Sequence, residues 1–204
     1  MRTNTILFTG AAIATVIALA ACNKPADNSA TPTASDAASA AATPLASDAA
    51  APAAAPAAMP TDTAGFVTAA ATTDMYEIAA ARIALAKSHD PGVKKFAQRM
   101  IHDHSATTAK LKKLIADKKV SATPPADMDA RQKGMIDKLN AAAPADFDKT
   151  YIGQQIAVHD EALGVFKGFA AGGDNDSLKT FASSTAPTIQ DHDDMAHKIQ
   201  TGLK

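Results

Sequence analysis

The fold of this chain is decided by the stretch from residue 93 to residue 115, which reads VKKFAQRMIHDHSATTAKLKKLI. Its apolar side chains recur at spacings of three and four. They are Val93, Phe96, Ala97, Met100, Ile101, Leu111, Leu114 and Ile115. This period places the apolar residues on one stripe of an α-helix, with Lys94, Lys95, Lys112 and Lys113 outside the stripe. The stretch therefore predicts a long amphipathic helix that packs against other helices.

Similar stripes before and after this stretch predict three more long helices. The first runs from about residue 65 to 88, and Asp90-Pro91 then supplies the N-cap and the first-turn proline of the helix that follows it. The third begins at Pro144 and ends at Gly172-Gly173. The fourth is capped by a residue of Asp174, Asn175 and Asp176, and we expect it to be bent or broken at Pro187.

The lengths of the links predict how these helices are connected. Short links join the first helix to the second and the third to the fourth. About 25 residues, including a shorter helical segment from about Asp127 to Asn140, separate the second from the third. This connectivity is typical of ferritin-like four-helix bundles with one long crossover between helices 2 and 3.

The composition agrees with an all-α fold and argues against one class of partner. Trp is absent and aromatic residues make up only 4% of the 204 residues, which suits close-packed helices better than sheets. Lys and Arg number 20 against 21 for Asp and Glu, so no excess of positive charge exists to bind phosphate backbones. We therefore expect no nucleic acid partner.

Residues 1–21 have the features of a lipoprotein signal peptide. Arg2 precedes an apolar run from Ile6 to Leu19, which is too short to favour a membrane span of about 20 residues. Leu19-Ala20-Ala21-Cys22 then resembles the lipobox of bacterial lipoproteins. The sequence predicts cleavage before Cys22 and anchoring by acyl chains on that cysteine. Asn23, and not Asp, stands at the next position, and its resemblance to the sorting rule of enterobacterial lipoproteins implies the periplasmic face of the outer membrane.

Residues 22–64 predict a disordered tether, and residues 65–204 the folded domain. The tether is rich in Ala, Ser, Thr and Pro and has almost no large apolar side chains. Such a segment cannot offset the entropy of ordering its backbone. Cys22 is the only cysteine, so the domain has no internal disulfide and its stability must come from packing.

One unexpected polar residue per helix falls on the apolar stripes. These residues are Glu77, His104, His159 and His192. Each lies near the middle of its helix, so the four side chains should converge at the centre of the bundle. One carboxylate and three imidazoles form a ligand set that suits a single Zn, Cu, Fe or Mn ion.

The same polar cluster has a second, structural interpretation. Buried polar groups can instead hydrogen-bond among themselves and fix the pairing of four similar helices. Asp74 could be a further ligand or could face solvent, and Met100 and Met195 could assist copper but are better explained as core filling. A di-iron centre lacks its Glu-x-x-His pairs, because Ala80 and Gly164 stand three places after Glu77 and Glu161.

The remaining histidines and the nearby acids are weaker candidates. We assign His102 with Asp103 to a solvated helix face, and we expect His89 and His197 at the surface. Acidic residues flank the core histidines and could accept hydrogen bonds from their ring N–H groups, although solubility explains them equally well. They are Asp160, Glu161, Asp191, Asp193 and Asp194.

The segment from Phe66 to Ile199 resembles the bacterial family named domain of unknown function 4142, whose members are exported and ferritin-like. The resemblance lies in Met75-Tyr76-Glu77-Ile78, in the stretch Val93 to His104, in His159 to Phe166 and in Pro187 to His192. It implies that Glu77, His104, His159 and His192 occupy the polar positions of the family pattern. It implies no activity.

These observations favour a lipid-anchored envelope protein that binds a metal ion or a small polar ligand in its core over a catalyst. One alternative is a structural or interaction lipoprotein that contacts an envelope protein or peptidoglycan. Another is a ferritin-like redox or peroxide-protective enzyme, which fold analogy alone does not support.

Overall fold

The computed structural model describes residues 59–203, and within this range every regular element is an α-helix. The five helices are α1 (Thr63–Lys87), α2 (Pro91–Ala116), α3 (Ala130–Ala141), α4 (Pro144–Gly172) and α5 (Asp176–Gly202). The prediction of an all-α fold with four long helices and one short one in the long connection is confirmed.

Side-chain caps define where four of the five described helices begin, whereas α4 begins at Pro144 without one. Asp62 accepts from the backbone N–H of Gly65 at 2.8 Å, and Asp90 accepts from Val93 at 2.9 Å directly before Pro91. Asp129 and Gln132 form a reciprocal capping box on α3, and Asn175 caps α5. Each cap satisfies a backbone donor that has no partner within its own helix, which is why the sequence signals locate these starts well.

The four long helices form a bundle of two helical hairpins, α1–α2 and α4–α5, which lie side by side. Thr63 at the start of α1 donates to Asp174 just after α4, and Asn175 before α5 donates to the carbonyl of Lys119 just after α2. The pairs α1–α4 and α2–α5 are therefore antiparallel, like the hairpins α1–α2 and α4–α5. It follows that α2 and α4 run in the same direction, and the long crossover that carries α3 returns the chain along the bundle.

The core consists of two apolar clusters with polar residues between them. The Phe66 cluster fills one end and contains Phe66, Val67, Leu111, Phe166, Phe169, Leu178 and Phe181. The Tyr76 cluster fills the other end and contains Tyr76, Val93, Phe96, Met100, Leu139, Phe147, Tyr151 and Ile152. The buried polar residues between them are Asp74, Glu77, His104, Gln155, His159 and His192.

Of the two outcomes predicted for Pro187, a bend or a break, the break is wrong, because α5 is continuous from Asp176 to Gly202 with this proline inside it. Proline removes the backbone donor that would bond to the carbonyl four residues earlier. That carbonyl belongs to Ser183, and both Ser183 and Pro187 are exposed. Solvent can satisfy the carbonyl, so the helix continues.

The signal peptide, Cys22 and most of the tether lie outside the described residues. Among residues 59–203, no helix combines the length and the apolar character needed to cross a membrane.

Candidate metal centre

Three of the predicted site residues meet at the centre of the bundle. His104 on α2, His159 on α4 and His192 on α5 are all buried, with ring centroids 5.4 to 5.8 Å apart. One nitrogen from each ring lies within 4.8 Å of the other two. Nitrogens that share a tetrahedral ion at about 2.0 Å are about 3.3 Å apart, so a modest contraction would complete the site. We call these residues the histidine triad.

Each imidazole of the triad is held by one ring nitrogen. His104 Nδ1 donates to Asp74 Oδ1, His159 Nδ1 to the carbonyl of Gln155, and His192 Nε2 to Asp103 Oδ2, each at 2.8 Å. Because all three partners are oxygen acceptors, these nitrogens carry hydrogen. This arrangement fixes the orientation of each ring and leaves the other nitrogen with a lone pair whenever the ring is neutral.

The second nitrogen of each ring is buried without a partner. Within residues 59–203, His104 Nε2, His159 Nε2 and His192 Nδ1 make no hydrogen bond. Leaving a buried acceptor unsatisfied costs about 1–3 kcal/mol, so three such atoms in one cluster need an explanation. A cavity of about 10 Å³ lies beside two of these histidines and is lined by His104, His192, Asp74 and Thr185 among others.

The electrostatic environment keeps two of the rings neutral at pH 7. Burial lowers the pKa of His159 to about 3, with His104 adding to the effect. Burial also lowers the pKa of His192 to about 4, although the hydrogen bond to Asp103 acts in the opposite direction. For His104, burial is outweighed by the hydrogen bond to Asp74 and the charge of Glu77, and the pKa is raised.

Glu77 lies next to the triad but on another side of His159. Its side chain is fully buried, and Oε1 is 3.8 Å from His159 Nδ1, the nitrogen that already donates to Gln155. Both carboxyl oxygens lack a hydrogen-bond partner within the described range, and burial raises the pKa of Glu77 to about 7. The structure thus brings three of the four predicted ligands together and places the fourth behind one of them.

The three predicted helpers occupy different positions. Asp74 is buried and accepts hydrogen bonds from His104 and from Thr108, both at 2.8 Å, so it orients a triad ring and does not face solvent. Met100 is fully buried in the Tyr76 cluster, and Met195 packs against that cluster. These are the positions of side chains that fill a core.

Two of the groups that hold the rings are not predicted by the sequence. The sequence pattern places Asp103 on a solvated face, but its side chain is only 19% exposed and contacts His192, Arg99 and His102. These hydrogen bonds outweigh the effect of burial and lower the pKa of Asp103 to about 2. The Gln155 carbonyl has no side-chain signal. The available sequence signal for Asp103 was its position directly before the core residue His104.

Comparisons with known proteins give one matching family and a similar solved structure. The family model described as domain of unknown function DUF4142 matches residues 48–199. A solved structure, "CopM in the Cu(II)-bound form", is similar with a TM-score of 0.59 and 19% identity, over 70% of this chain and 98% of that one. At this identity the likeness shows a shared fold. No curated protein matches the chain.

Proposed function

Because the chain belongs to the DUF4142 family, whose description gives no activity, we propose from its own residues that it is a metal-binding protein of the cell envelope. The histidine triad holds one divalent transition-metal ion. The observation that carries this proposal is the set of three buried imidazole nitrogens at the centre of the bundle that have no hydrogen-bond partner in the described part of the chain. A cluster that served only to pair the helices would be expected to satisfy these atoms.

We propose Cu²⁺ as the first ion to test. Imidazole suits copper and zinc well, and Cu²⁺ has the highest affinity among the divalent ions of the first row for a given nitrogen site. The similar solved structure is named as a Cu(II)-bound form. Zn²⁺ also accepts three histidines with a fourth ligand, whereas Fe and Mn would be favoured by carboxylates that the triad itself does not supply.

Elemental analysis of the full chain tests this proposal. The protein is purified without chelator or histidine tag and compared with His159→Leu and with a Glu77→Gln/His104→Gln double variant. We expect nearly one tightly held equivalent of copper in the parent and the loss of this equivalent in His159→Leu. Protein that stays free of metal after addition of Cu, Zn, Fe and Mn would favour the structural lipoprotein instead. Bound iron or manganese with turnover of peroxide would favour the redox enzyme.

Asp103 should tune the affinity of the site through His192. We expect Asp103→Asn to weaken binding of Cu²⁺ on the order of tenfold, the lower end of the effect of such supporting groups, because the amide oxygen can still accept the ring N–H. Competition with a chromophoric chelator measures the change. Asp191→Asn removes a neighbouring exposed charge that lies 4.0 Å from Arg99, and equal weakening there would point to general electrostatics.

Uptake of the ion should release protons. The pKa of His104 is raised, so its protonated fraction grows as the pH falls, and ligation must displace the proton on Nε2. His159 and His192, with pKa values of about 3 and 4, are already neutral above pH 5. We therefore expect proton release to increase, and apparent affinity to fall, as the pH is lowered through the raised pKa of His104. Calorimetry in buffers of different ionisation enthalpy counts these protons, and a release that is independent of pH would contradict the assignment.

We also propose that lipid on Cys22 anchors the protein at the periplasmic face of the outer membrane, and that the segment from Cys22 up to the Asp62 cap of α1 is the tether. The lipobox Leu19-Ala20-Ala21-Cys22 supports this location. Metabolic labelling with palmitate in bacterial cells should mark the parent chain and not Cys22→Ser. Equal labelling of both chains, or recovery of the parent in the soluble fraction, would overturn the anchor.

A further inference from the structure

A second group of metal-ligating side chains lies outside the histidine triad. Asp160 belongs to α4, and Asp193 and His197 belong to α5. One ligand atom from each lies within 4.8 Å of the other two. Asp160 and His197 are exposed, whereas Asp193 is only 6% exposed.

The burial of Asp193 distinguishes this group from an ordinary cluster of exposed acids. Its Oδ1 atom is buried and has no hydrogen-bond partner within residues 59–203. The same atom is 3.6 Å from His197 Nε2, which is beyond a good hydrogen bond. An oxygen and a nitrogen that share one ion, each at about 2.0–2.2 Å, are separated by roughly this distance.

The position of the group follows from the helical repeat. Asp160 and Asp193 directly follow His159 and His192, so each is turned by about 100° from a triad residue. His197 lies four residues after Asp193 and therefore shares its face of α5. The group thus occupies the seam of α4 and α5 on the outer side of the bundle, while the triad occupies the inner side.

We propose that Asp160, Asp193 and His197 form a second, solvent-accessible site for a divalent transition-metal ion, with Zn²⁺ as the probe. Two carboxylates carry a charge of −2 that matches the ion, the neutral imidazole adds one nitrogen ligand, and water can take the open positions. The site binds more weakly than the triad, because two of its ligands are exposed and must be ordered on binding. It stands on its own residues and does not depend on metal binding by the triad.

Equilibrium dialysis of the full chain against Zn²⁺ tests the second site. We expect two equivalents in the parent chain and loss of the weaker one in His197→Gln and in Asp193→Asn. His197 is half-exposed, so its replacement leaves the core unchanged, and helical circular dichroism checks the fold of both variants. Asp194→Asn is the matched control, because Asp194 is an adjacent acid outside the group that accepts instead from Gln190.

The two sites can fail separately. His159→Leu should remove the tighter equivalent and leave the weaker one in place. Titration of Zn²⁺ should also shift the ring resonances of His197 in the parent chain. The proposal is overturned if His197→Gln and Asp193→Asn keep the weaker equivalent, or if Asp194→Asn loses it to the same extent.

Discussion

Saturation of the histidine triad with Zn²⁺ is expected to raise the free energy of unfolding by about 4 kcal/mol when the free ion is at about 1,000 times its Kd. The unfolded chain cannot reproduce the site, because the three ligands come from three different helices. Zn²⁺ is the suitable probe because it has no redox chemistry with Cys22. Urea unfolding followed by circular dichroism, with and without the ion, measures the difference.

His159→Leu is the decisive control for this stabilisation. Leucine has a similar volume and cannot bind an ion, and it removes a buried ring nitrogen that has no partner among residues 59–203. We expect the variant without metal to be about as stable as the parent, or more stable, and to show no response to Zn²⁺ attributable to the triad. His89→Gln changes an exposed histidine and should keep the full response. Equal stabilisation of the parent and His159→Leu would exclude the triad as its source.

The fold could be predicted from the sequence because its signals are local. A cap at Asp90 followed by Pro91, and a stripe with a period of 3.6, depend only on residues within a few positions of each other. Pro187 shows the limit of such signals. Whether a proline interrupts a helix depends on whether solvent reaches the carbonyl of Ser183, and that depends on how the helix packs.

The candidate site could be predicted only in part, for a related reason. The stripes identify which residues face inward, and they correctly bring His104, His159 and His192 together. They do not give the rotation of one helix against its neighbour. Glu77 therefore meets His159 on its Nδ1 side, and Asp103 reaches His192 across the seam of α2 and α5 although it lies beside the stripe.

Replacement of Phe66 by alanine should have the largest effect on the apolar core, a loss of about 3–5 kcal/mol of unfolding free energy. Phe66 is fully buried and stacks on Phe169 with ring centroids 4.2 Å apart. Its ring also meets Phe166 at 5.1 Å and Phe181 at 6.3 Å, both edge to face. Alanine leaves a cavity among three aromatic rings that belong to two other helices, and urea unfolding measures the cost. Thr68→Ala, an exposed change on the same helix, should alter stability by less than about 0.5 kcal/mol.

The same variant tests whether the two ends of the core act independently. Phe66 belongs to one apolar cluster, and the polar residues that hold the triad separate it from the Tyr76 cluster. Folded Phe66→Ala protein should therefore still bind the ion with nearly the parent affinity, and Zn²⁺ should restore most of the lost stability because the ion binds only the folded state. Loss of the ion from Phe66→Ala while the helices remain folded would show that the Phe66 cluster, and not only Asp74, Asp103 and Gln155, positions the triad.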